Sequence, residues 1–216
     1  MNDKFFDLSR EKQDRMINGA LEVFAKNGFK HASTDDMVKA VDVSKGLWFH
    51  YFGSKLGLYT FVYGYSVKYM ILELSSVVDA NEKNYFEIIK QIEFTKMRIS
   101  KSYPYMAMFL EQALEENDAD VLEQTAEDRK IFQEKMTGLT KSGEIPGIED
   151  KGKREKLKKI AQYMIQGIVK DKAFSVEPEA VYREIRNYLD LLRDMVAAGS
   201  NTAKGEPNLV IESVAS

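Results

Sequence analysis

Between Ser33 and Lys55 the chain reads STDDMVKAVDVSKGLWFHYFGSK, and this stretch holds the side chains best suited to meeting a polyanion. Lys45 is followed one helical turn later by Phe49, with His50 and Tyr51 beside it. A lysine can donate to guanine O6 and N7 or to a phosphate, and apolar rings pack on sugars and thymine methyls. An aromatic face left in water beside a cation is costly unless something covers it. The chemistry on offer is recognition by one short helix lying in the major groove of DNA.

Such a helix needs a brace, and the flanking sequence supplies one. Apolar residues recur close to every 3.6 positions along almost the whole chain, and strand-like alternation is nowhere sustained. A first helix runs roughly from Ser9 to Asn27 with Met16, Ile17, Ala20, Leu21 and Phe24 as its inner stripe, and Gly28 closes it. Ser33 opens a second helix and forms an approximate capping box with Asp36. Met37, Val38 and Val41 face inward, Asp42 occupies the turn, and Ser44 caps a third helix over Lys45 to Tyr51. Val43, Trp48 and Phe52 are spaced to lock the third helix onto the brace, leaving Lys45, Phe49 and Tyr51 outward or sideways. A fourth helix runs from Lys55 to about Val78, and further helices are expected near 84–102, 105–116, 119–141, 152–172 and 178–198. The segment from Ser142 to Gly147 is a loop, and residues from Gly199 on read as a tail. The fold class expected is all-α: a helix-turn-helix module over 1–54, a larger helical domain over 55–200 and a tail over 201–216.

Composition narrows the function classes. In 216 residues, 44% are hydrophobic and 30% charged, enough for a real core. The net charge of −3 does not exclude a DNA partner, because the field at the contact face counts for more than the sum. Residues 1–55 carry nine Lys or Arg against eight Asp or Glu, so electrostatic support for such a partner is weak. With no cysteine and two histidines, thiol chemistry is excluded and a metal site is not expected. No cofactor is expected either. The absence of a signal-like or membrane-length apolar run points to a cytoplasmic protein without a membrane partner.

The segment Asp42-Val43-Ser44-Lys45-Gly46-Leu47-Trp48-Phe49-His50-Tyr51-Phe52, closed by Gly53-Ser54-Lys55, resembles the DNA-reading motif of the TetR family of bacterial transcriptional regulators. That family commonly shows Gly-Val-Ser-Lys-Gly-Thr-Leu-Tyr-x-Tyr-Phe followed by a short turn ending in Lys. Phe24, Gly28, Ser33, Thr34 and Met37 also fall where the family places them, so the resemblance covers about 45 residues. It implies phosphate contacts at Thr34, Tyr51 and Lys55 and groove contacts at Lys45 and Gly46. Ser33, Ser44, Leu47, Phe49 and His50 complete the DNA-facing set. There are departures: Asp42 stands for a glycine, Leu47 for a threonine that donates to phosphate, Trp48 for a leucine and Phe49 for a tyrosine.

The resemblance also implies a ligand-sensing and dimerising domain. Met and aromatic residues concentrate in the middle helices, at Met97, Tyr103, Tyr105, Met106, Phe109, Phe132 and Met136, which suits a largely apolar small-molecule effector or an ordinary core. Glu93 and Arg129 lie on apolar stripes, where they either pair with one another or meet a ligand. Candidate effector contacts are therefore Glu93, Met97, Tyr105, Phe109, Arg129 and Phe132. The two last helices carry apolar faces wide enough for their own domain and a partner. Their resemblance-assigned role is a two-fold interface through Ile160, Met164, Gly167, Ile168, Ile185, Leu189 and Leu192. The basic run from Lys151 to Lys159 reads as a solvated helix start.

The leading expectation is a ligand-responsive homodimeric repressor on a pseudo-palindromic operator. A DNA-binding regulator governed by a protein partner is the alternative. An enzyme is remote, since no nucleophile elbow, metal-ligand pair, P-loop or dinucleotide glycine motif occurs.

Overall fold

The computed structural model describes residues 3–41, 44–141, 143–172 and 177–203. Among these residues the secondary structure is helical apart from one isolated bridge between Asn84 and Glu144. The expected turn residues Asp42 and Val43, loop residue Ser142 and tail residues 204–216 lie outside the described residues. The chain divides into two compact units, Met1–Ala80 with Gln91–Lys141 and Asn81–Lys90 with Ser142–Ser216.

The first unit contains α1 (Arg10–His31), α2 (Thr34–Val41), α3 (Lys45–Phe52), α4 (Lys55–Val77), the larger part of α5 (Tyr85–Ser100), α6 (Met106–Gln112) and α7 (Ala119–Lys141). The expected stripe of α1 is its buried face. Phe24 meets Tyr59 of α4 edge-on at 4.9 Å, and Tyr59 meets Phe109 of α6 at 5.3 Å. Each such fully buried apolar side chain contributes roughly 1.5–3 kcal/mol. Gly28 interrupts α1 as expected, with φ +65°, but one more turn follows and the helix ends at His31. α4 and α7 pack closely at Gly64, where an added Cβ would lie 2.7 Å from the Asp128 carboxylate.

Polar ties join α1 to the turn before α6. Tyr103 donates to Asp14 at 2.6 Å and its hydroxyl also lies 2.5 Å from that of Tyr65. Asn18 donates to the Ser102 carbonyl at 2.9 Å. Burial and the adjacent Asp14 carboxylate push the Tyr103 hydroxyl well above the usual phenol range.

The second unit holds the start of α5, α8 (Lys151–Lys172) and α9 (Pro178–Ala203). The Tyr85 amide donates to the Glu144 carbonyl and the Glu144 amide to the Lys83 carbonyl, pinning the loop before α8. Lys90 is buried and bonds Glu87 at 2.7 Å and Asp190 at 2.5 Å. Arg193 completes this network, 3.2 Å from Glu87 and 3.0 Å from Asp190. Within the unit, α8 packs on α9, and Ala161, Ile165, Ile168, Ile185 and Leu189 are buried.

Part of the expected dimer face is covered within the chain itself. Ile168, Ile185 and Leu189 are buried inside one protomer. Ile160, Tyr163, Tyr188, Leu191 and Met195 are the large apolar side chains left in solvent. Met164 and Leu192 are half-buried and Gly167 is exposed with open space around it. The cause is geometric: a broad stripe curves round a helix, and only its middle can meet the neighbour in the same chain. α9 also runs on through Gly199 to Ala203, beyond the expected start of the tail. A lone glycine weakens a helix by about 1 kcal/mol and need not end it.

Candidate nucleic-acid interface

The reading head is built from caps outward. The Ser33 hydroxyl accepts the Asp35 amide at 3.2 Å and starts α2, where Thr34 is half-buried. The exposed Ser44 accepts the Leu47 amide at 3.2 Å and starts α3, as its sequence predicts. The Gly53 amide closes α3 on the Phe49 carbonyl at 2.9 Å. Ser54 accepts the Gly57 amide at 2.9 Å and opens α4 without a gap.

These caps fix which way α3 faces. Trp48, Tyr51 and Phe52 stand three and four positions apart and are buried together. Phe52 lies 5.5 Å from Trp48 and 5.2 Å from each of Phe5 and Phe61. Lys45, Gly46, Phe49 and His50 point to solvent, and Leu47 is half-buried. Phe49 is 43% exposed, and nothing lies within 4 Å of a Cβ added at Gly46. The face can therefore be approached closely by a flat, anionic surface. The Trp48 indole Nε1 is buried and bonds no acceptor among the described residues.

Two expected phosphate contacts take different positions. Tyr51 is 7% exposed, its ring edge-on to Phe5 at 5.8 Å, so it braces the helix from behind. Its spacing from Trp48 puts it on the inner face. Lys55 turns back to the end of α1, donating to the carbonyls of Phe29 at 2.9 Å and of Lys30 and Ala32 at 3.4 Å. Its ammonium also stands 4.5 Å over the Phe29 ring. α1 ends at His31, so the carbonyls of its last turn have no helical donors, and a cation at a helix C-terminus is favoured.

Lys45 is also engaged. Its ammonium lies 2.8 Å from Asp35, which holds the Asp35 carboxyl below the ordinary aspartate range. Both side chains remain half exposed or more, at 50% and 62%.

Phe5 is the brace that sequence reasoning missed. It sits in a single 3-10 turn, Asp3–Phe5, is wholly buried, and packs against rings of both α3 and α4. The available signal was the adjacent pair Phe5-Phe6 ahead of the first amphipathic helix.

The expected effector residues fall into distinct settings. Phe109 is buried among Phe24, Tyr59 and Tyr63. Arg129 donates to Thr125 at 2.7 Å and to the Ala113 carbonyl at 2.8 Å, with its guanidinium 5.1 Å over Tyr63. Its Nη2 is buried without an acceptor. Glu93 is buried and paired with Lys96 at 2.9 Å, so it and Arg129 each have local partners. Tyr105 reaches Glu22 of α1 at 3.3 Å, and Met97 and Phe132 are half-buried.

Residues 16–60 match the family model described as bacterial regulatory proteins, tetR family. The matched segment spans the buried stripe of α1, both helices of the helix-turn-helix and the start of α4. The fold agrees across the rest of the chain. A TetR family transcriptional regulator from Chloroflexus aurantiacus J-10-FL aligns with a TM-score of 0.59 at 17% identity, over 92% of this chain and 97% of that one. The TetR family transcriptional regulator PfmR from Thermus thermophilus aligns at 0.54 and 17% identity, over 83% and 97%. No curated protein matches in sequence. The chain has a TetR-like all-α fold, and its residues 16–60 are similar to the DNA-binding segment of bacterial TetR-family regulatory proteins. Among the described residues no helix is long and apolar enough to cross a membrane.

Proposed function

We propose that this regulator is a homodimeric, effector-responsive repressor that reads a pseudo-palindromic operator through α3. The observation that carries the reading is the division of α3 into a face of Lys45, Gly46, Phe49 and His50 and a back of Trp48, Tyr51 and Phe52. In a two-fold dimer, two such faces enter successive major grooves about 34–36 Å apart. Lys45 supplies the base contact, and Ser33, Thr34 and Ser44 line the approach to the phosphates. The exposed side chains of α8 and α9 support self-association, because five large apolar groups on one hairpin suit a second copy better than water.

An effector that binds one dimer geometry better than another shifts the population on or off DNA. Arg129, with its guanidinium over the Tyr63 ring and a buried Nη2 that bonds none of the described residues, is the polar group that supports an effector carrying a hydrogen-bond acceptor. The test is selection of duplexes from a random-sequence pool by the full-length protein. The expected result is a site with two inverted half-sites one helical turn apart. Enrichment of a single, asymmetric half-site would overturn the dimeric reading.

A further inference from the structure

One face of α1 carries Asp14, Asn18 and Glu22, four residues apart and so one above the other. Each meets the short connection between α5 and α6. The Tyr103 hydroxyl donates to Asp14 at 2.6 Å, Asn18 donates to the Ser102 carbonyl at 2.9 Å, and the Tyr105 hydroxyl donates to Glu22 at 3.3 Å. The connection is itself held at both ends. The Tyr103 amide donates to the Ile99 carbonyl at 2.9 Å and the Met106 amide to the Tyr103 carbonyl at 3.1 Å. Tyr103 is buried, its ring edge-on to Tyr69 at 5.0 Å. The hydrophobic attraction of the core beneath α1 has no preferred direction. Hydrogen bonds weaken steeply off line, so this row fixes the register and rotation of α1. α2 packs on α1 and α3 on α2, so the reading head turns with α1.

We propose that Tyr103 and Asn18 are positioning residues for operator recognition: they fix the angle of the reading head on its own unit and so set the half-site spacing that the protein accepts. This rests on the reading of two half-sites by a dimer. In any two-fold pair, turning each head on its body moves both α3 faces and changes their separation. One base pair inserted between half-sites displaces one of them by about 3.4 Å and rotates it by about a tenth of a turn. A head held by directional bonds rejects that displacement, whereas a head held by apolar contact alone follows it. Both residues act through α1, since neither lies on α3.

The probes are a duplex enriched by the wild-type protein from a random pool, the same duplex with one base pair inserted or removed between its half-sites, and a scrambled duplex of equal length. Tyr103→Phe deletes one hydroxyl and keeps the ring, and Asn18→Ala deletes the second tie. The preference for the enriched over the shifted duplexes should fall about threefold in each variant and about tenfold in both together. A tenfold change is about 1.4 kcal/mol, the range for one to two hydrogen bonds. Affinity for the scrambled duplex should not change. If the variants melt at a lower temperature yet keep the wild-type preference, these residues only stabilise the fold and the proposal is wrong. Wild-type protein that binds all three spacings equally would overturn it as well. Enrichment of a single half-site by the wild-type protein would instead overturn the dimeric reading, and this inference with it.

Discussion

The outward faces of α3 and of the α8–α9 hairpin both place large apolar side chains in water, yet their surroundings differ. On α3 a single exposed ring, Phe49, sits among Lys45, Gly46 and His50. On α8 and α9 the exposed groups are Ile160, Tyr163, Tyr188, Leu191 and Met195. A lone ring bordered by polar groups gains little from another protein surface but can pack on sugars and thymine methyls. Several apolar groups on neighbouring helices suit a second apolar face. Behind each face the core is of one kind, buried rings under α3 and buried aliphatic residues between α8 and α9. Both the rim and the core behind it therefore differ between the two faces.

The sharpest break in this comparison comes from α8 and α9. Leu189→Ala removes a wholly buried side chain and should lower unfolding free energy by about 2–5 kcal/mol in a denaturant titration. Tyr163→Glu with Leu191→Glu touches only exposed positions and should leave helicity intact while halving the mass seen by light scattering. If the reverse pattern appears, the buried and self-associating faces have been exchanged.

The two lysines of the reading head separate next. Lys55→Ala removes a charged donor from three carbonyls and should cost roughly 1.5–3 kcal/mol of stability, read as a lower melting temperature. Its effect on DNA should be the same for every sequence. An unchanged melting temperature with a salt slope reduced by about one would mean that Lys55 binds phosphate and leaves α1 freely. Lys45→Ala gives up only an exposed ion pair, so stability should fall little, and it should cost about 1–3 kcal/mol of binding to the enriched duplex. Equal losses on enriched and scrambled duplexes would remove Lys45 from the groove.

Smaller effects probe the brace. Trp48 is the one indole of the chain and is 3% exposed, so its emission should resist acrylamide quenching. Phe5→Ala should raise quencher access, because Phe5 supports Phe52, which supports Trp48. Unchanged access would confine Phe5 to the α4 side. The smallest effect is on pH dependence. Lys45 lowers the folded Asp35 carboxyl, so the stabilisation is present above the ordinary aspartate range and lost as pH falls through the lowered folded value. Carboxyl carbon NMR should show the Asp35 midpoint rising in Lys45→Ala; a midpoint that stays put would assign the lowering to the α2 terminus.

Local signals carried far along this chain. Helix α7 begins and ends at the expected 119 and 141, and Ser44 caps α3 as its position predicts, because capping and helical periodicity depend on residues a few positions apart. The motif from Ser44 to Lys55 was legible for the same reason. Phe5 was not, since a ring in one isolated turn has no periodicity to reveal which helices will cover it. Helix type, the reading-head motif and the width of the last two apolar stripes were determined by the sequence alone.

The tertiary structure decided which way the motif's charged and aromatic groups point. Lys55 could have faced phosphate or protein, and it faces protein because the end of α1 at His31 leaves open carbonyls within its reach. Asp35 reads as a helix-start residue until α3 folds back and sets Lys45 beside it. Ile168, Ile185 and Leu189 were divided from Ile160, Tyr163 and Leu191 only when α8 met α9. Periodicity states that a face is apolar, but which part of that face is covered depends on partners distant in sequence.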